Sequence, residues 1–290
     1  MDISKCGEYL ITCDGEQIIL YNLHSGEQQK KLYHKESQLD LVRFTHNSDA
    51  IICATQKDHS IIYWSLHDNE IVKKFTGHTD VILCLDLNNS TDKFLSTSQD
   101  CTLRFWDLNS MIPGADAILD LSQKKCNPVA AFDNLGLVYA ISYTESLGGA
   151  DFTKIALYDV KKHEEGSFAF WNYDCAEIRT IKFSQCGNLI LCSTVDNIII
   201  VIDSFEGTLK QKINTGGEDI MDPCFTPCSQ FLITGGEKGI IHVWKTQTGE
   251  EVTKLSGHFL KPQICKFSPS HCLLISACKN LIFWLPDIKQ

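Results

Sequence analysis

The stretch Lys93 to Asp107, KFLSTSQDCTLRFWD, decides the fold of this 290-residue chain. Its apolar and hydroxyl-bearing residues predict one strand over Phe94 to Thr97 and a second over Thr102 to Trp106. A short polar turn joins the two runs, and Gly77-His78 stands upstream in the loop that would enter the same sheet. The stretch therefore predicts two paired antiparallel strands with polar side chains close to an entering loop.

Polar side chains in this region can form one buried chain of hydrogen bonds. His78 lies in the entering loop, and Ser96 or Ser98 would face it from the second strand of the sheet. The carboxylate of Asp100 in the turn and the indole N–H of Trp106 would complete the chain. Each link would contribute roughly 1 kcal/mol net, and leaving one buried partner unpaired would cost more. This order of residues is the signature of a WD40 repeat, one blade of a β-propeller.

The same pattern recurs along the whole chain. Predicted third strands end at seven positions, and most intervals between them lie near the WD40 period of roughly 40–45 residues. The strand ends are Tyr21-Asn22, Trp64-Ser65, Trp106-Asp107, Tyr158-Asp159, Ile202-Asp203, Trp244-Lys245 and Trp284-Leu285. Elements of the hydrogen-bond chain are expected, in degraded form, in other repeats at Asp58, Trp64, Asp196, His258 and Trp284.

These observations predict an all-β fold, a single seven-bladed WD40 propeller over residues 1–290. The first repeat has lost most of its first strand and the seventh has no fourth, so we expect the N-terminal closing strand to be missing. Either roughly 25–30 further residues precede the chain or the ring closes imperfectly. We expect an exposed edge over Asn280 to Trp284 that could pair with another chain. The expected blades span 1–33, 39–75, 79–121, 127–171, 177–213, 220–255 and 262–290.

Composition argues against several classes of protein. The net charge of −10 is wrong for a general binder of phosphate backbones, so we expect no direct contact with nucleic acid. We find no apolar run of the roughly 18 residues that span a membrane, and no signal peptide. The 14 cysteines mostly alternate with apolar residues, as at Cys53, Cys84, Cys192, Cys265 and Cys278. They predict buried free thiols in a reducing, intracellular compartment, with no disulfide or metal site.

The residues also argue against catalysis. His78, Ser96 and Asp100 are the residue types of a hydrolase triad, but the chain has no G-x-S-x-G elbow. The set recurs in degraded form in other repeats, whereas a catalytic set occurs once in a fold. Glycine-rich phosphate loops are absent as well. We therefore predict that the protein is not an enzyme, has no catalytic residues and needs no metal or cofactor.

Longer phrases are more specific than the repeat pattern. They include YWSLHDNEIVKKFTGH (63–78), FTPCSQFLITGGEKGIIHVW (225–244) and SACKNLIFWLP (276–286). In order, and over essentially the whole chain, they resemble the small WD-repeat subunit of COMPASS-type histone lysine methyltransferase complexes. The chain departs from that family in its N-terminal strand region, in the insertion TESLGGADFT (144–153) and in the short segment GGEDIMDP (216–223). We expect the insertion to be a loop around Gly148-Gly149.

The resemblance implies a non-catalytic scaffold of a nuclear chromatin-modifying complex. In some lineages the family is shared with transcription-termination, RNA 3′-end-processing and nuclear phosphatase complexes. Expected partners are a SET-domain methyltransferase or a termination or phosphatase scaffold subunit, with no membrane contact and a monomer outside the complex. The alternative is a WD40 adaptor of another assembly, such as a ubiquitin-ligase substrate receptor.

Two surfaces are candidates for partner binding. Loops that enter the blades, and loops between second and third strands, gather at one mouth of the channel, where mixed charges would suit an extended peptide. The alternative is the aromatic outer strand of the fourth repeat, with Phe168, Phe170 and Trp171, which could equally pack on the rim. The residues of the first surface are Lys57, His59, Asp80, Asn197, Glu218, Lys238 and Lys261.

Overall fold

Antiparallel hairpins follow one another along the chain and form seven separate sheets in the computed structural model, which describes residues 1–122, 125–147, 150–216 and 218–286. Within these residues six sheets have four strands and one has three. First strands of neighbouring sheets contact one another, so the sheets stand side by side around a central channel. This arrangement confirms the predicted fold, a seven-bladed β-propeller.

Each blade runs in chain order from its inner strand at the channel to its outer strand at the rim. The first contains β1 (Asp2–Ile3), β2 (Tyr9–Cys13), β3 (Gln17–Asn22) and β4 (Gln28–Tyr33). The second contains β5 (Leu39–Phe44), β6 (Ala50–Thr55), β7 (Ile61–Ser65) and β8 (Glu70–Phe75). The third contains β9 (Ile82–Leu87), β10 (Lys93–Ser98), β11 (Thr102–Asp107) and β12 (Ala117–Asp120).

The remaining four blades follow the same plan. The fourth contains β13 (Lys125–Phe132), β14 (Val138–Leu147), β15 (Ala150–Asp159) and β16 (Ala169–Tyr173). The fifth contains β17 (Ile178–Phe183), β18 (Leu189–Thr194), β19 (Ile198–Asp203) and β20 (Leu209–Asn214). The sixth contains β21 (Met221–Phe225), β22 (Phe231–Gly235), β23 (Ile240–Lys245) and β24 (Glu251–Ser256). The seventh contains β25 (Ile264–Phe267), β26 (Leu274–Ala277) and β27 (Leu281–Trp284).

The few helices are minor features of this fold. In the described ranges they are two three-residue 3-10 turns, His163–Glu165 and Glu237–Gly239. Among the same residues, no helix has both the length and the apolar character that crossing a membrane requires.

Burial falls from the inner half of each blade to the rim. All six residues of β6 are buried, because neighbouring blades cover both faces of the sheet. Outer strands are mostly exposed and keep one buried apolar anchor, such as Leu32 on β4, Phe75 on β8 and Ile213 on β20. Each anchor pairs with the first or second residue of the third strand beside it, so one side chain holds a strand that is otherwise largely exposed.

The insertion of the fourth blade is a paired hairpin over its described part, so the expectation of a loop is wrong there. Strands β14 and β15 continue into the insertion, with Glu145 opposite Phe152. Backbone hydrogen bonding favours extending two strands already in register over leaving their polar groups unpaired. Gly148 and Gly149 lie outside the described residues.

The hydrogen-bond chain of the third blade contains His78, Ser96, Asp100 and Trp106. Atom Nδ1 of His78 is 2.8 Å from Oδ2 of Asp100, and Nε2 is 2.7 Å from Oγ of Ser96. The indole N–H of Trp106 donates to the same hydroxyl at 2.8 Å. Ser98 stands outside this chain, because its hydroxyl donates to the carbonyl oxygen of Asp80 at 2.9 Å.

The protonation state of His78 fixes the direction of each hydrogen bond in this chain. Burial lowers the pKa of His78 more than the facing carboxylate raises it, so the imidazole is neutral near pH 7. Since Asp100 can only accept, Nδ1 carries the proton and donates to it. Nε2 then accepts from the Ser96 hydroxyl, whose oxygen accepts from Trp106. Burial alone would raise the pKa of Asp100, but hydrogen bonds, with Thr102 first and His78 next, lower it.

The seventh blade repeats the chain with one substitution. Nε2 of His258 is 2.6 Å from Oγ of Ser276, and Nε1 of Trp284 donates to that oxygen at 2.7 Å. The place of the turn carboxylate belongs to Cys278, whose Sγ lies 3.1 Å from Nδ1 of His258. A weak sulfur partner therefore stands where the third blade has a charged acceptor.

The second and fifth blades keep only the turn carboxylate. Asp58 accepts a hydrogen bond from Thr55 and pairs with Lys74, and Asp196 accepts one from Thr194. The buried indole N–H of Trp64 finds no acceptor among the described residues. These two blades thus anchor their turns locally, without linking the entering loop to the third strand.

Cysteine thiols are free throughout the described residues. Cys53, Cys192 and Cys265 are buried, as the alternation with apolar residues predicts, and so is Cys224. The prediction is wrong for Cys84, on the channel-facing strand β9, and for Cys278, in the turn after β26, because both are only partly buried. Burial raises the pKa of Cys224 to about 11. The expectation of burial is wrong for the cysteines that occupy turns rather than strands. The exposed ones are Cys6, Cys186, Cys228 and Cys272.

Side chains join the first blade to the seventh. Oδ1 of Asp2 on β1 lies 2.7 Å from Nζ of Lys266 on β25 and 3.7 Å from a guanidinium nitrogen of Arg43 on β5. Its Oδ2 accepts the backbone N–H of Phe44 at 3.0 Å. Strand β27 pairs only with β26, so its other edge has no strand partner among the described residues. One carboxylate thus connects three consecutive blades.

The hydrogen-bond chain predicts a graded loss of stability. Asp100→Ala and His78→Ala should each lower the free energy of unfolding by roughly 1–3 kcal/mol, because each leaves a buried partner unpaired. Asp107→Ala is the matched control, since its carboxylate caps only the exposed backbone N–H of Asn109. Urea unfolding of the three variants and of the natural protein measures the change in the free energy of unfolding. Equal, near-zero shifts in midpoint would contradict the assignment.

The Asp2 contacts predict a stability term that depends on pH. Burial alone would raise the pKa of Asp2, but the attraction of Lys266 and Arg43 outweighs it and lowers the pKa below its ordinary value. The stabilisation is therefore complete above the unfolded-state pKa of about 4 and is lost as pH falls through the lower folded-state value. Asp2→Asn should cost roughly 1–3 kcal/mol at pH 7 and progressively less below about pH 4.

Urea unfolding at pH 7, 5 and 3.5 measures this difference. Asp49→Asn removes an exposed carboxylate from the turn between β5 and β6 and serves as the control. A difference between Asp2→Asn and the natural protein that stays constant over this range would contradict the ion-pair account.

Candidate protein-interaction surfaces

One end of the ring, here called the upper face, carries the loops between blades and the loops between second and third strands. Lys57, Asp80 and Lys238 are exposed on these loops. None of the three forms an ion pair with another described residue. Their charges therefore remain available to a binding partner.

Of the other four predicted residues of this face, three contact other residues of the protein and one is partly buried without a hydrogen bond. Asn197 accepts a hydrogen bond from Thr215 on its backbone oxygen at 2.9 Å. Lys261 pairs with Asp219, which also lies 3.7 Å from Arg179. The ring of His59 is partly buried, and its Nδ1 has no hydrogen bond among the described residues. The fourth residue is Glu218, which lies beside a buried histidine.

That histidine, His242 on β23, was missed by the sequence analysis. Its Nδ1 is 2.5 Å from Oε1 of Glu251, and its Nε2 lies 2.9 Å from Oε2 of Glu218 without hydrogen-bond alignment. The ring stacks on Trp244 at 5.9 Å between centroids. A polar residue two positions before the strand-ending Trp was the available signal, since alternation places both side chains on one face. The contacts fasten the loop before the sixth blade.

An exposed aromatic residue was also missed on this face. Phe259 is 89% exposed, and Leu260 beside it is 48% exposed. Gly239 lets this loop approach: its φ is +75°, and a Cβ there would meet the backbone oxygen of His258. The loop that carries Phe259 therefore lies against the loop that carries Lys238. The available signal was the apolar pair in GHFLKP, where the third repeat has GHTD.

The alternative surface is smaller than the sequence suggested. Phe168 and Phe170 are 61% and 54% exposed, and Nζ of Lys154 lies 4.2 Å from the centre of the Phe170 ring. Trp171 points to the opposite face of β16 and packs against Gly207 of the fifth blade. Two aromatic side chains are thus available for a partner, and the third joins neighbouring blades.

Charged side chains of the inner strands largely neutralise one another. Lys182 pairs with Asp222, and Asp2 with Lys266. Asp86 accepts the backbone N–H of Phe132 at 2.9 Å, and burial raises its pKa. No group of three His, Cys, Asp or Glu residues in the described part of the chain is placed to hold a metal ion. The channel therefore offers a balanced set of charges rather than a field of one sign.

Solved structures share this architecture. The β-propeller domain of Cps50 (Swd1) from Myceliophteria thermophila superposes with a TM-score of 0.81. The superposition covers 97% of this chain and 95% of that domain at 12% sequence identity. At this level of identity the likeness shows the fold alone.

Sequence comparisons identify the family. The model of the WD domain, G-beta repeat, matches residues 69–107 and 207–245. The chain is 26% identical to "COMPASS component SWD2" of Saccharomyces cerevisiae, over 97% of this chain and 88% of the yeast protein. It is 37% identical to "WD repeat-containing protein 82" of Drosophila melanogaster, over 100% of this chain and 90% of the fly protein. The chain therefore belongs to the family of WD-repeat proteins that includes this Drosophila protein.

Proposed function

We propose that the protein is a non-catalytic scaffold subunit of a nuclear, COMPASS-type histone lysine methyltransferase complex. The name of the yeast relative, aligned over nearly the whole chain, supports this assembly. The triad-like residues of the third blade support the absence of catalysis. Ser96 is fully buried, and its hydroxyl is already shared between His78 and Trp106. A substrate has no access to that oxygen.

The upper face supports binding to an extended segment of a protein partner. Lys57, Asp80 and Lys238 have no intramolecular ion pairs among the described residues, and Phe259 is 89% exposed beside the Lys238 loop. Exposed charges steer and orient a partner, whereas a large aromatic side chain supplies most of the contact area. We propose that a segment of the SET-domain methyltransferase, acidic with at least one apolar residue, binds here.

Other assemblies remain alternatives with the same geometry. A termination, RNA 3′-end-processing or phosphatase scaffold subunit would use the same upper face, because fold alone does not choose a partner. A WD40 adaptor, such as a ubiquitin-ligase substrate receptor, would do so as well. We further propose that the chain is a monomer outside its complex and that the open edge of β27 is its main route to pairing with another strand.

Affinity purification from nuclear extract tests the assembly and the face together. The natural protein should recover a SET-domain methyltransferase, and it should have no methyltransferase activity alone. Lys57→Glu with Lys238→Glu should weaken that interaction about tenfold, through lost attraction at the rim of the interface. Binding to the purified methyltransferase segment gives the affinity, and circular dichroism checks that the fold is intact.

Lys245→Glu is the matched control, because Lys245 is exposed at the opposite end of the sixth blade. Loss of binding in Phe168→Ser with Phe170→Ser, but not in the upper-face variant, would move the site to the outer strand β16. Recovery of only cytoplasmic or ubiquitin-ligase proteins would replace the proposed complex with the adaptor alternative.

A further inference from the structure

The third strands of two blades carry a basic residue two positions before their Trp. Arg104 has this position in β11, and His242 has it in β23. In the sixth blade two carboxylates flank the basic side chain, since Glu251 lies 2.5 Å from Nδ1 of His242 and Glu218 lies 2.9 Å from Nε2. In the third blade no carboxylate of the described residues lies within ion-pair distance of Arg104. Only one of these two equivalent side chains is therefore paired within the protein.

Arg104 reaches the upper face from the gap between the second and third blades. Strand alternation places it on the same face of β11 as Trp106, which packs in one cluster with Phe75 of the second blade. The loop that enters the third blade passes close to the guanidinium, because a Cβ on Gly77 would collide with Nη1. The Arg104 side chain is partly buried. A charge that is partly removed from water and has no ion-pair partner favours an anionic ligand.

Hydrogen bonds hold this guanidinium in place. Its Nε–H donates to the hydroxyl of Thr102 at 3.2 Å, and that hydroxyl donates to Oδ1 of Asp100 at 2.6 Å. The Asp100 carboxylate also accepts from His78 and from the backbone N–H groups of Thr79 and Thr102. Nη1 and Nη2 of Arg104 have no acceptor among the described residues. They remain available for two parallel hydrogen bonds to one carboxylate.

An apolar side chain stands beside the guanidinium. Ile118 on the outer strand β12 is the direct cross-strand partner of Arg104 and is 54% exposed. Residues that pair directly across two strands place their side chains on one face of the sheet, within contact of each other. A ligand with an aliphatic residue next to its acidic residue would therefore contact both side chains.

Nearby charges favour a ligand group that carries a single negative charge. Asp100 is joined to Arg104 through the Thr102 hydroxyl, and the exposed Asp120 is the cross-strand partner of Thr102. A phosphate dianion would bring a second negative charge close to these two carboxylates. A carboxylate matches one guanidinium in both charge and geometry, and the sixth blade places carboxylates at the equivalent position.

We propose that Arg104 determines the specificity of the upper-face site by binding the carboxylate of an aspartate or glutamate in the partner segment. The two carboxylate oxygens accept from Nη1 and Nη2, and an aliphatic residue next to the acidic one packs on Ile118. The proposal rests on the upper-face site of the proposed function and names the contact that selects an acidic residue there.

Nuclear magnetic resonance of the arginine side chains tests this contact. The chain has three arginines, and Arg43 and Arg179 form ion pairs within the protein. The Nε–H signal of Arg104, assigned with Arg104→Lys, should move on titration with the blocked peptide Ser-Leu-Glu-Leu-Ser, while the other two signals stay in place. The peptide Ser-Leu-Gln-Leu-Ser should bind about tenfold more weakly, because its amide carries no charge.

The titrations can also overturn the proposal. An Arg104 signal that stays in place at millimolar peptide would do so, and so would equal affinity for the Glu and Gln peptides. Tighter binding of Ser-Leu-phosphoserine-Leu-Ser would contradict the choice of a carboxylate. Binding of free acetate as tight as that of the Glu peptide would mean an adventitious ion only.

Variants connect the contact with the partner segment. Arg104→Gln should weaken binding of the Glu peptide and of the purified methyltransferase segment about tenfold, and Arg104→Lys should restore part of the affinity, because it keeps the charge without the two parallel bonds. Arg179→Gln is the matched control and should leave binding unchanged. Urea unfolding checks that each variant is folded. Natural affinity in Arg104→Gln, with binding lost in the protein that carries Lys57→Glu and Lys238→Glu, would overturn this contact and leave the upper-face site standing.

Discussion

Closure of the ring is the constraint on which the rest of this structure depends. A blade buries both faces of its inner strands only when a neighbour stands on each side, so an open ring would expose two sheets. Here the first blade contributes only two residues to its inner strand, β1, and the seventh has three strands. Asp2 makes up for this short contact by binding Lys266 on one side and Arg43 on the other. Leu10, Leu273 and Ile275 supply the apolar part of the same junction.

The inner strands use charge to keep that ring in register. Their charges alternate in sign from blade to blade, which places each carboxylate near cations of its neighbours. Because the number of blades is odd, charges of alternating sign cannot continue around the whole ring. The fourth blade interrupts the alternation, since it carries the small apolar Ala131 at the position where its neighbours carry a charge. An attractive set of this kind disfavours slippage of one blade against the next, because a shift would move opposite charges apart. The charged residues, from the first blade onward, are Asp2, Arg43, Asp86, Lys182, Asp222 and Lys266.

The sequence predicted the fold well because its signal is periodic and local. Strand ends recur at regular intervals, and the Ser96 chain uses residues from one blade only. Contacts between blades carry no such signal: Lys261 and Asp219, or Arg43 and Asp2, pair across about one repeat of the chain. The sequence therefore could not show which of the residues predicted on the upper face pair within the protein and which stay free. Trp171 is different, since strand alternation already places it opposite Phe168 and Phe170.

The hydrogen-bond chain through Ser96 shows how one blade can hold its part of the upper face rigid. Every donor in the chain has one acceptor, so the chain joins the loop that enters the third blade to two strands of that blade. Asp80 lies in this loop, two residues after His78, and the hydroxyl of Ser98 donates to its backbone oxygen. The third blade therefore presents the Asp80 carboxylate on a fixed loop, so a partner that binds there has little backbone freedom to remove.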